Sequence, residues 1–113
     1  FSEAVRVGNT VYLSGQLGNV PGPGPIKLAP GGMAGEAKQV MDNIQTALQA
    51  HGLSMADVVK LNVYLTDLAN FAKVNETMAK YFVEPYPARA AVGVASLPRG
   101  ALVEADGVMV LTK

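Results

Sequence analysis

Two charges most need explaining in the stretch Glu84–Asp106, which is largely small, apolar or turn-forming: Arg89 and Glu104. A guanidinium can grip a carboxylate through two parallel hydrogen bonds. A glutamate can orient or deprotonate a water and then return the proton to a leaving group. Together they could hold a small anion and deliver water to it. An ordinary ion pair on a sheet face explains the same two residues equally well. The spacing predicts two strands joined at Leu97-Pro98-Arg99-Gly100, where Pro presets φ and Gly tolerates positive φ. A hairpin centred between Pro98 and Arg99 pairs Gly93 with Glu104 and Arg89 with Val108. Side chains alternate along a strand, so Arg89, Ala91, Gly93 and Glu104 then share one face, with Arg89 and Glu104 ~13 Å apart. Ala90, Ala91 and Gly93 leave room between them for a small molecule.

Size and composition limit what can position such a pair. The chain has 113 residues, with nine Lys plus Arg against nine Asp plus Glu. That is one domain, residues 1–113, with enough chain to bury a core. A balanced charge without a basic run argues against nucleic acid as a partner. The absence of cysteine removes disulfides, a thiol nucleophile and thiolate metal sites, and fits a cytoplasmic protein. One histidine among scattered carboxylates gives no metal site. No apolar run reaches the ~18 residues of a membrane helix. The chain opens at Phe1 rather than Met, so residues are expected ahead of it. Half the residues are hydrophobic and only 16% charged, which points to buried subunit interfaces.

Read in order, Val5–Leu17 forms a hairpin turning at Gly8-Asn9. Ser14-Gly15 ends the apolar part of its second strand. Gly there suggests a bulge or a close approach to the backbone, and the Ser14 hydroxyl either meets a ligand or bonds locally. Gly18–Gly32 is loop, with Ile26-Lys27-Leu28 as a brief edge strand; its glycines do not match a phosphate cradle. Met33–His51 is a helix in which Ala37, Val40, Met41, Ile44, Ala47, Leu48 and His51 follow 3.6-residue spacing, with Glu36 and other polar residues filling the rest. Gly52 stops it. Val59–Thr66 alternates as a strand with Val59, Leu61, Val63 and Leu65 on one face. Asp67 caps a second helix, Leu68–Phe82, with Asn75 at the edge of its stripe. The order predicts an α+β sandwich, one sheet with both helices on a single face. The opposite face is apolar at Ala90, Val92 and Val94, so further copies of the chain are its expected cover.

Several segments together resemble the RidA/YjgF family of enamine/imine deaminases. They are Ala4-Val5-Arg6-Val7-Gly8-Asn9, Tyr12-Leu13-Ser14-Gly15-Gln16, Phe71-Ala72-Lys73-Val74-Asn75, and Tyr86-Pro87-Ala88-Arg89-Ala90 running through Leu97-Pro98 to Glu104. The resemblance covers essentially the whole chain. It implies a chorismate-mutase-like fold and a homotrimeric barrel with three sites between subunits. It also implies hydrolysis of 2-iminopropanoate and 2-iminobutanoate, which arise from enamines released by pyridoxal-phosphate dehydratases, without a cofactor. Carried over, Arg89 binds the substrate carboxylate and Glu104 holds the hydrolytic water. Ser14, Gly15 and Asn75 line the pocket, and the backbone at Ala91 approaches the substrate nitrogen. Phe1 stands where the family usually has Tyr, and Ala91 where many relatives have Cys. A small-carboxylate-binding protein of the same fold, with altered hydrolysis, is the alternative that Phe1 favours. The ribonuclease activity attached to some relatives fits poorly with the neutral charge.

Overall fold

The computed structural model describes residues 1–111. Strands β1 (Ala4–Val7), β2 (Thr10–Leu17), β3 (Val58–Leu65), β4 (Ala88–Gly93) and β5 (Val103–Val110) form a sheet in the order β1-β2-β5-β3-β4. Helix α1 (Gly32–Ala50) follows β2, and α2 (Phe71–Ala79) links β3 to β4. Only β3 and β4 run parallel; the other neighbouring pairs are antiparallel. A helical crossover is what joining two parallel strands requires.

Alternation decides what each strand buries. Val11 and Leu13 of β2, Leu61, Val63 and Leu65 of β3, and Val103, Ala105 and Met109 of β5 all turn to the helices. There they meet Met33, Ala37, Val40, Met41, Ile44 and Leu48 of α1, and Val74 and Met78 of α2. Each such side chain contributes roughly 1.5–3 kcal/mol on leaving water. Both helices therefore lie on one face, as the apolar periodicity predicts.

Helix α1 closes as its sequence dictates. Gly52 takes φ +74°, its N–H reaches the Gln49 carbonyl at 3.1 Å, and the Leu53 N–H reaches the Leu48 carbonyl at 2.8 Å. These are the paired bonds of a glycine-terminated helix, in a backbone region that side-chain-bearing residues resist. The second helical region is shorter than its periodicity suggests. Leu68–Asn70 is a 3₁₀ turn, with Asp67 Oδ1 accepting from the Ala69 N–H at 3.0 Å, and the α-helix proper ends at Ala79.

Four expectations need correction. Ile26-Lys27-Leu28 is no strand: only an isolated bridge, Asn19 to Leu28, marks it. Val59 is not on the core face, because a register shift between Val58 and Lys60 turns Val58 inward and leaves Val59 exposed. Glu36 is not on the solvent side of α1. It is 5% exposed, and its Oε1 accepts the Leu102 N–H at 2.9 Å, just ahead of β5. A buried carboxylate needs such a donor.

The largest correction concerns the opening pair of strands. β4 and β5 are not a hairpin: β3 lies between them. Gly93 is level with Leu65 and Arg89 with Leu61, while Glu104 is level with Tyr64 on one side and Leu17 on the other. Pro98–Gly100 does turn, with Arg99 at φ 61° and Gly100 at φ 70°, but as a 3₁₀ turn within the longer connection Val94–Leu102. That connection spans the two strand spacings, about 10 Å, needed to pass over β3.

Candidate active site

The strand order separates Arg89 from Glu104. Arg89 is level with core-facing Leu61, so its side chain leaves the helix side of β4. Glu104 alternates with buried Val103 and Ala105, so it leaves the opposite, open side of β5. Two strand spacings across and three residues along put their backbones about 14 Å apart, on different faces. The shared face expected for Arg89, Ala91 and Gly93 holds; Glu104 is not on it.

Around Arg89 lies one half of the candidate site. Arg89 Nη1 donates to Asn75 Oδ1, and its guanidinium carbon lies 5.0 Å from the centre of the Phe71 ring. Asn75 follows Phe71 by one helical turn, so one face of α2 supplies both the stacking ring and the orienting amide. A cavity of ≈440 Å³, lined by Leu61, Asn75, Met78, Phe82, Tyr86 and Arg89 among others, opens on one side of the guanidinium. A shallower hollow with Leu68, Phe71 and Ala91 opens on the other. The cation thus sits exposed at a sheet edge, pinned in orientation and bordered by apolar walls.

Around Glu104 lies the other half. β2 and β5 slip register between Leu13 and Gln16, which leaves Ser14 and Gly15 in a bulge. A Cβ on Gly15 would collide with Glu104 Oε2, so only glycine leaves the carboxyl its place. The Ser14 hydroxyl donates to the Ser2 carbonyl at 2.5 Å and its N–H to the Glu3 carbonyl at 2.8 Å. Its local role is the one the structure displays, and it fastens the exposed Phe1 segment beside the bulge. Burial first, and the neighbouring Asp106 charge second, raise the Glu104 pKa above the ordinary carboxylate value.

Some of this was not in the sequence reading. The sequence reading gave Phe71 no part in holding Arg89, yet it underlies the guanidinium; its spacing of four from Asn75 was the available signal. Asn62 Nδ2 and the Tyr64 hydroxyl donate to the two Asp106 oxygens at 2.8 and 2.9 Å. The signal there was polar alternation on β3 facing acidic alternation on β5. His51 ends α1 with its Nε2 3.8 Å from Glu3 Oε2.

Comparison with known proteins follows this geometry. The family model described as Endoribonuclease L-PSP matches residues 1–111. The chain belongs to this family, which includes RidA. RidA from the Antarctic bacterium Psychrobacter sp. superposes with a TM-score of 0.90 at 50% identity, over 98% of this chain and 88% of that one. The 2-iminobutanoate/2-iminopropanoate deaminase of Bos taurus is 46% identical over 97% of this chain and 79% of its own length. E. coli TdcF, solved with bound serine, has a TM-score of 0.89 at 33% identity over 99% of this chain and 88% of that one. The fold and family read from the sequence are therefore those of the protein.

Proposed function

We propose that this L-PSP family member hydrolyses reactive 2-imino acids, such as 2-iminopropanoate and 2-iminobutanoate, to 2-keto acids and ammonia. Its sites would lie between copies of the chain in a homotrimer. One observation carries the assembly: Arg89 and Glu104 leave opposite faces of one sheet, so within a chain they cannot act on one small molecule. A neighbouring copy that brings its Glu104 to this copy's Arg89 completes the site. The exposed Val5, Val7, Tyr12 and Val92 on the open side favour the same packing. The match to the deaminase of Bos taurus favours the reaction.

Arg89 takes the substrate carboxylate, its guanidinium held flat by Phe71 and turned by Asn75. That fixes the imine carbon, and much of the rate enhancement comes from this positioning. The imine enters protonated; Glu104 accepts a proton from water as the C–O bond forms, and the C=N electron pair moves to nitrogen, leaving a neutral amine. It then returns the proton to that nitrogen. The C–N bond breaks, the carbonyl forms, and the departing ammonia carries off the hydroxyl proton as ammonium. Ser14, Gly15, Phe1 and the Ala91 backbone form the walls in this arrangement. The whole chain acts as one RidA-like domain, in the cytoplasm, a placement that its lack of cysteine suits.

A second reading is a small-carboxylate-binding protein of the same fold. It draws support from Phe1, whose ring brings no hydroxyl to the pocket, and from serine bound to the similar TdcF. The deciding experiment measures keto acid from freshly generated 2-iminopropanoate, with wild type against Arg89→Ala. Loss in the variant supports hydrolysis. Tight binding of small carboxylates with no turnover in wild type selects the second reading.

A further inference from the structure

Asp106 stands two residues beyond Glu104 on β5, so both carboxyls leave the open face, about 7 Å apart along the strand. Each Asp106 oxygen has its own donor: Asn62 Nδ2 on Oδ1 at 2.8 Å and the Tyr64 hydroxyl on Oδ2 at 2.9 Å. Both donors come from β3, where Asn62 is level with Asp106 and Tyr64 is level with Glu104. Tyr64 is therefore Glu104's direct cross-strand neighbour, yet its one hydroxyl proton goes to Asp106. The Tyr64 pKa is raised by that bond first, then by burial and by the Asp106 and Glu104 charges. A phenol that stays protonated remains a donor across the working pH range.

Among the described residues, no charge besides Asp106 answers Glu104 at close range. On β2 its level neighbour is Leu17, with Gly15 packed against the carboxyl. On β3, Lys60 is level with Val108, four residues along from Glu104, or about 13 Å. On β4 the open-face residues are Ala88, Ala90 and Val92. Glu3 turns its carboxylate to His51. The helices lie behind the sheet, as does Arg89.

We infer that Asp106, clamped by Asn62 and Tyr64, is a positioning residue for imine hydrolysis: a fixed anion that keeps the Glu104 carboxyl able to hold a proton and hand it to the leaving nitrogen. The inference rests on the hydrolase reading above. An unclamped aspartate could swing away from its neighbour, and a solvated one would be screened from it. The β3 clamp prevents the first, and partial burial on the sheet face limits the second. The raised Glu104 pKa, with Asp106 among its causes, agrees with this role.

The test follows two quantities in the same assembled protein: the Glu104 titration midpoint, by carbon-13 NMR of glutamate-labelled protein, and the pH profile of kcat/KM for 2-iminopropanoate. Asp106→Asn removes the charge at constant size. It is expected to lower the Glu104 midpoint by about half to one pH unit and to shift the matching limb of the rate profile equally. Asp106→Glu, which keeps the charge, restores most of both shifts. Tyr64→Phe releases one clamp and shifts both in the same direction by less. If Asp106→Asn does not fold, this variant carries the test. An unmoved midpoint overturns the inference, and so does a midpoint that moves while the rate profile stays. Absence of keto acid release by wild type would instead remove the hydrolase reading, a result the midpoint measurement does not imitate.

Discussion

Along β3, Leu61, Val63 and Leu65 are buried beneath the helices, whereas Lys60, Asn62 and Tyr64, one residue out of step, stay partly or fully open. The same division runs through β5, with Val103, Ala105 and Met109 inside and Glu104, Asp106 and Val108 outside. One face is finished by the chain itself. The other combines polar groups that hydrogen-bond one another with bare apolar residues at Val5, Val7, Tyr12 and Val92. The proposed homotrimer would cover that mixture. A face designed for water would not expose those four, and one designed as core would not hold two carboxyls.

The proposed chemistry straddles this division, which gives ways to break it. Arg89→Ala is expected to lower kcat/KM at least about 100-fold, chiefly through KM, because a charge-assisted pair of hydrogen bonds to substrate is lost. The exposed position means that the fold survives, as circular dichroism would show. Glu104→Gln should be comparably inactive. Unfolding the two dead variants together and refolding them should recover about a quarter of wild-type turnover, since some interfaces then combine an intact Arg89 with an intact Glu104. No recovery would place both groups in one copy, against the strand order.

Smaller effects separate the faces energetically. Leu65→Ala, at a fully buried position, should cost about 3 kcal/mol in urea unfolding. Tyr12→Ser should change the stability of the folded chain by less than about 0.5 kcal/mol, yet weaken assembly in light scattering. Glu104→Gln carries a pH signature. The native pKa is raised, so below the ordinary value of 4.5 both folded and unfolded chains hold the proton and wild type and variant match. As pH rises through 4.5 the unfolded chain ionises first, and wild type loses stability up to the native pKa. The variant should therefore melt higher than wild type at neutral pH, with the gap closing in acid.

Much of this architecture was legible without coordinates. The Gly8-Asn9 hairpin, the apolar stripe of α1 and its Gly52 stop are local signals, and local signals survive folding. The order of β4 and β5 was not legible. Period-two alternation tells which residues share a face within a strand, and nothing in it names the neighbouring strand. Leu97-Pro98-Arg99-Gly100 looks like a hairpin turn whether or not a third strand enters between. Arg89, Ala91 and Gly93 were thus grouped correctly, and Glu104 was placed with them wrongly, by the same rule. Glu36 escaped because its charge set it among the polar residues of α1, and its partner is a backbone N–H far away in sequence.

That contact between Glu36 and the Leu102 N–H has a reach beyond α1. It moors the chain immediately before β5, so the longitudinal placement of Glu104 is governed partly from behind the sheet. Laboratory selection for altered turnover would then find useful changes at residue 36, hidden from any substrate, as readily as among groups that touch one.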